Sequence, residues 1–212
     1  MSTRAGAVKA QKKALTLSLP EEFEEIVITP LDEFSEEEYW QFCAKHKDLR
    51  IEMTSEGQMI IMMPVGGEGS HRNFILTTRF GVWAETNEDG IGFDTSGGFR
   101  LPNKAKRSPD VSWIRRERWE ALSAKERKKF LPLCPDFAVE LRSETDRLKK
   151  LQDKMQEYIN NGAQLGWLID PIEKKVHVYR PNAPVEILNN PAEISGEPLL
   201  KGFVLRLAGI LD

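Results

Sequence analysis

Cysteine is nearly absent from this chain of 212 residues: only Cys43 and Cys134 occur, far apart. That excludes a disulfide-stapled scaffold and a Cys-based metal knuckle, and it points to a reducing cytoplasmic setting. Histidine is equally scarce, and His46, His71 and His177 share no ligand-like spacing. No apolar run approaches the roughly 18 to 20 residues that a membrane span requires. The first twenty residues hold Arg4, Lys9, Lys12 and Lys13 but no acid. Such a composition is compatible with a transit peptide, although a flexible basic tail over residues 1–20 is the plainer reading, and no uninterrupted apolar stretch follows to make a secretory signal. Internal repeats are missing too. Gly66, Gly67 and Gly69 are not followed by a Gly-Lys-Ser or Gly-Lys-Thr, which rules out a P-loop.

What is present is the composition of a soluble globular protein, 40% hydrophobic and 30% charged. Residues 21–212 are of a length to fold as one domain around a single core. The net charge of -3 conceals an asymmetry. Between Arg100 and Lys154 there are 16 Lys plus Arg against 9 Asp plus Glu. A local excess of that size suggests a basic surface for a polyanion, although runs such as KERKK also serve as solvated helix faces.

Periodicity supplies the elements. Ser35 followed by three glutamates reads as a capped helix running to about Lys47, with Tyr39, Phe42 and Cys43 inward. The segments RIEMT and QMIIMMP, separated by Ser55-Glu56-Gly57, read as a hairpin. Apolar positions at Phe74, Ile75, Thr78, Val82 and Trp83 predict an amphipathic helix on a sheet. Short strands fit IGFDT, GFRL and DVSWI, with the turn-rich LPNKAKRSP between the last two, and RERWEALSAKERKKF reads as a polar helix. Then come strand FAVEL, helix DRLKKLQDKMQEYIN, an Asn-Asn-Gly stop and strand LGWLI, the pattern of a crossover between parallel strands. KVHVYR reads as an antiparallel neighbour. The expected fold class is α/β or α+β, a mixed sheet with helices on both faces.

One residue breaks the apolar rule. Glu140 sits inside FAVEL, where an ionised carboxylate is costly unless it is paired or used. Strand alternation puts it on the side of Ala138 and Arg142, opposite Phe137, Val139 and Leu141. On the following helix Leu148, Leu151, Met155, Tyr158 and Ile159 form the apolar arc, and Arg147 and Lys154 fall just beyond its edge. Upstream, Asp110 opens the strand VSWI. Two carboxylates on neighbouring strands with a lysine beside them can hold a divalent cation through hard oxygen ligands and place an ammonium near an attacking water, the parts that phosphodiester hydrolysis needs.

SPDVSW, PDFAVELRSETDRLKKLQDKMQEYINNGAQLGWLIDP and KKVHVYRP, together with MPVGGEGSHRN, resemble the Uma-two family of restriction-endonuclease-like proteins, within the PD-(D/E)xK nuclease superfamily. The likeness runs from about Leu31 to the carboxy terminus. It implies a restriction-endonuclease-like mixed sheet flanked by helices, and an endonuclease that uses Mg or Mn to cut DNA. It also implies a homodimer, since two strands must be cut. By the same likeness Asp110 and Glu140 are the metal-binding carboxylates, and Glu68 is an additional acid of the catalytic set. The superfamily's lysine two places after the glutamate is here Arg142, which stays charged and accepts no proton. The family's displaced lysine corresponds to Lys154, to which the catalytic role is assigned.

Plainer alternatives accompany each residue. Asp110 could cap the turn after Pro109, Glu140 could pair with Arg142 or Arg147, and Lys154 could extend into solvent. Glu68 could simply favour a helix dipole, and His71, close enough to Glu68 in the chain to be a candidate contact for phosphate or metal, could be structural. For the whole chain the alternatives are a catalytically inactive nucleic-acid- or protein-binding member of the same fold, and a homodimer with vestigial chemistry.

Overall fold

Capping fixes where the first helix begins. In the computed structural model, which describes residues 25–30, 33–62 and 64–212, α1 (Glu36–Lys45) starts at Ser35. Its side chain accepts from Glu38 N while Glu38 reaches back to the Ser35 backbone, a reciprocal capping box. Tyr39 is fully buried beneath α1, with Phe42 and Cys43 partly covered beside it. The basic tail over residues 1–20 lies outside the described residues.

Two sheets organise the chain. The larger has six strands in the order β11 (Glu186–Asn189), β10 (Lys175–Tyr179), β9 (Leu165–Asp170), β8 (Phe137–Leu141), β7 (Val111–Arg115), β4 (Gly90–Asp94). Only β8 and β9 run parallel, with Phe137 opposite Leu165 and Glu140 opposite Leu168. The crossover between them is α4 (Leu148–Asn160). The smaller sheet has five strands in the order β1 (Glu25–Ile28), β3 (Met59–Met62), β2 (Arg50–Met53), β6 (Lys106–Arg107), β5 (Phe99–Arg100). A short pair, β12 (Glu193–Ser195) and β13 (Val204–Arg206), completes the strands described.

The six-stranded sheet is covered on both faces, as the alternation in its strands requires. Phe137 and Val139 of β8 face one way, into a cluster with Leu76 and Phe80 of α2 (Gly67–Thr86), Trp113, Trp167 and the carboxy-terminal Phe203. Ala138 faces the other way, into a cluster with Met155 and Tyr158 of α4, Leu168 and Ile114. Glu140 shares the parity of Ala138, and Asp110 that of Ile114. Both acids therefore belong to the α4 side.

Three sequence expectations are corrected. The stripe that α2 turns to the sheet is Leu76 and Phe80, with Ile75, Trp83 and Ala84 at its margin, while Phe74 and Val82 point outward. The polar helix expected over 116–130 is broken into α3 (Arg116–Glu120) and a 3-10 turn (Glu126–Lys128). Ser123 and Glu126 exchange cap bonds there, starting a new turn and ending the old one. The turn-rich LPNKAKRSP contains a strand, β6, whose Lys106 is buried against the Tyr39 ring and paired with Glu36.

Candidate active site

Lys154 reaches the α4 side of β8 because α4 seats Met155 and Tyr158 on the sheet, leaving residue 154 at the edge of the apolar arc. Its ammonium lies 2.9 Å from Oε1 of Glu140. The Tyr158 hydroxyl donates to the same oxygen at 2.9 Å. Asp110 stands where the chain enters β7, its N–H donating to the Val139 carbonyl across to β8. One Asp110 carboxylate oxygen accepts from Leu141 N at 2.9 Å, and the other accepts from Arg50 at 3.3 Å.

A third acid closes the group from the opposite side. Glu52, on β2 of the smaller sheet, is 3% exposed. Its Oε1 accepts from Lys154 at 2.9 Å and from Ser108 N at 3.0 Å. Its Oε2 accepts from Arg107 of β6 at 3.2 Å, and Arg107 in turn donates to Glu157 of α4 at 2.6 Å. Arg50, Glu52, Arg107, Asp110, Glu140 and Lys154 line one cleft of about 550 Å³, with Arg147 and Lys150 at the start of α4.

Burial and neighbouring charges move the two buried glutamates in opposite directions. Burial pushes the Glu140 carboxyl up; Lys154 draws it back, but Asp110 and Glu52 add to the rise and leave it at about 7. Burial pushes Glu52 up as well, yet Lys154, Arg107 and Arg50 outweigh it and hold Glu52 below the ordinary carboxylate range. Burial pulls the Lys154 pKa down, but Glu140 and Glu52 outweigh it and hold the ammonium above its ordinary pKa. The ammonium is thus a donor to both carboxylates.

Of the four residues singled out from the sequence, the structure brings Asp110, Glu140 and Lys154 into one cleft and leaves Glu68 outside it. Glu68 is exposed in the first turn of α2, where it pairs with Arg72 at 3.6 Å, and it is not among the residues lining the cleft. The helix dipole and its i,i+4 partner account for its place. His71 is exposed beside it. Arg142 turns out of the cleft to bond Asp170 at 2.8 Å and the Asp146 carbonyl at 3.2 Å. Glu52 was the residue missed, although its signal matched that of Glu140: a carboxylate flanked by Ile51 and Met53 inside an apolar strand.

The donor set suits a hard divalent cation. Asp110 and Glu140 present carboxylate oxygens in a cleft open to solvent, and their mutual repulsion is the condition a dication relieves. Among the described residues no group of three or more His, Cys, Asp or Glu is placed to hold a metal ion. Two carboxylates completed by water and substrate oxygens is the arrangement that suits magnesium.

The chain matches the model of the Uma2 family, described as "Putative restriction endonuclease", over residues 36–208. It is also similar to a crystal structure described as a "putative nuclease" from Anabaena variabilis. The TM-score is 0.64 at 20% identity, covering 76% of this chain and 89% of that one. No curated protein matches it. The structural likeness carries the fold, a mixed sheet flanked by helices, and the family match spans most of the sequence: the chain belongs to the Uma2 family of restriction-endonuclease-like proteins.

Proposed function

We propose that the chain is a nuclease dependent on Mg or Mn, hydrolysing phosphodiester bonds of DNA in the cleft between α4 and the smaller sheet. The observation that carries this reading is the 2.9 Å contact of Lys154 with Glu140 in a cleft that Asp110 also lines. Asp110 and Glu140 would hold the cation. A bound divalent cation stabilises charge on the phosphoryl oxygens and lowers the pKa of a water. Lys154, kept protonated, donates to the attacking water or to a phosphate oxygen, fixing its direction of approach. Arg50, half-buried beside Asp110, and Lys150 at the rim offer positive charge to the strand's phosphates.

Supercoiled plasmid incubated with Mg²⁺ or Mn²⁺ tests the proposal. Nicking or linearisation is expected from the native protein, with losses of about a hundredfold or more in Glu140→Gln and Lys154→Met, the scale of removing one charge-stabilising group. No cleavage with either metal, or a Glu140→Gln variant as active as native, would end it. Gel filtration at working concentration checks the homodimer that cutting two strands calls for. A non-cleaving binder of nucleic acid has one observation behind it, since Arg50 and Lys154 already engage the carboxylates assigned to the cation. Manganese titration decides, because that reading expects no binding for Asp110→Asn to abolish.

A further inference from the structure

We infer that Glu52 is a positioning residue: it anchors the Lys154 ammonium from the smaller sheet, so that Lys154 stays in place when Glu140 turns to its cation. This rests on the proposed nuclease reading and adds to it a residue from a second structural unit. The reasoning begins with a conflict. Lys154 and the cation assigned to Glu140 are both positive, and Glu140 Oε1 is the oxygen that Lys154 contacts. An ammonium held by that one carboxylate would be displaced by the very ion it is meant to assist. A second carboxylate, its oxygens committed to other donors, removes the conflict.

Glu52 has the properties required. Its bonds engage both carboxylate oxygens: Lys154 and Ser108 N on Oε1, Arg107 on Oε2. Arg107 is in turn tied to Glu157, one helical turn from Lys154 on α4. Glu52 therefore holds α4 at two points, directly through residue 154 and by way of Arg107 through residue 157. Its carboxylate is 3% exposed and already saturated by these donors. It acts through Lys154 and not on the scissile bond. The smaller sheet thus contributes one fixed oxygen to a site otherwise built from β7, β8 and α4.

The test has two arms, one of which needs no cleavage. The ¹⁵N signal of the Lys154 ammonium, assigned by its loss in Lys154→Met, is recorded in Glu140→Gln and in Glu140→Gln combined with Glu52→Gln. The signal is expected to persist in the first and to vanish in the second. Loss already in Glu140→Gln, or survival in the pair, overturns the proposal. In the second arm, kcat and KM for plasmid nicking with Mn²⁺ are compared. Glu52→Gln should lower kcat about as far as Lys154→Met does, on the order of a hundredfold, with KM little changed. Adding Glu52→Gln to Lys154→Met should cost nothing further. A native kcat in Glu52→Gln, or a multiplicative loss in the pair, refutes it. Where Glu52→Gln folds poorly by thermal melting, Glu52→Asp takes its place, keeping the charge for Arg107 while withdrawing it from Lys154. A native protein that cuts no DNA sinks the nuclease reading alone, since the ammonium signal still decides the anchoring.

Discussion

Replacing Lys154 by Met tests whether the cleft's charges are one buried network or a set of surface contacts. The substitution keeps the length of the side chain but leaves Glu140 and Glu52, both nearly inaccessible, without the ammonium that lies 2.9 Å from each. Removing one partner of a buried ion pair typically costs about 3 to 5 kcal/mol, against about 0 to 1 kcal/mol at a surface. For a domain of this size a loss on that scale lowers Tm by roughly 6 to 20 °C. The sign with pH follows from Glu140. Lys154 draws its pKa down, so the variant's carboxyl rises further above the ordinary value of 4.5. The folded variant then retains a proton that the unfolded chain releases, and its stability falls as pH rises through that interval. The deficit should widen as pH rises from about 5 to about 8, on top of the stabilisation of Glu52 already lost at pH 5, measured by urea unfolding in EDTA. Glu140→Gln combined with Lys154→Met should be more stable than Lys154→Met alone, because it withdraws one of the stranded charges. A deficit below about 1 kcal/mol at every pH would show that Lys154 is a surface lysine, and the network would fail with it.

Asp110→Asn should abolish the Mn²⁺ isotherm while lowering stability by only about 1 kcal/mol, since Arg50 is partly exposed and the amide oxygen still accepts from Leu141 N. His177 is buried on β10, and burial pulls its pKa below 6.5, so the folded chain keeps it neutral while the unfolded chain takes up a proton. Stability should accordingly decline as pH falls below 6.5, and His177→Leu should flatten that limb in melts across acid pH. Gly90→Ala should destabilise by about 1 to 3 kcal/mol or more, because a Cβ there would stand 2.2 Å from the Trp113 ring and 2.3 Å from the Ile114 carbonyl. Native-like unfolding of that variant would show that β4 can shift along β7.

Where sequence signals are local, they were legible. FAVEL, the α4 arc and LGWLI describe a crossover whose periodicities fall within three contiguous segments, and the parallel pairing of β8 with β9 follows. The α4 arc also placed Lys154 at the edge of the buried face, which is how it meets Glu140. Of the smaller sheet only the β2–β3 hairpin and the strand at GFRL were legible, and their assembly with β1 and β6 was not, because the strands come from distant parts of the chain. β6 is only two residues, both cationic, and Lys106 is made buriable by Tyr39 and Glu36, some seventy positions away. Glu52 was passed over for the same reason. A hairpin judged alone has a solvent face, and nothing near it announces that Arg107, Ser108 and Lys154 will cover that face. α2 misled by its composition, since Phe74 and Val82 complete an apolar stripe that the fold leaves outside.

The charges of the cleft form a balance that bears on its use. Asp110, Glu52, Glu140 and Glu157 face Arg50, Arg107 and Lys154 through the contacts described, leaving one negative charge in excess. Burial lifts Glu140 towards neutrality and the neighbouring Asp110 and Glu52 add to the rise, and apolar side chains of similar volume would have stabilised the seam at least as well. A dication inverts the sign, leaving one positive charge in excess at the point where Arg50 and Lys150 open the cleft to solvent. A phosphodiester brings one negative charge. Under the proposed nuclease reading, cation and substrate should therefore each tighten the other's binding, and nucleic acid should bind weakly to the cation-free protein.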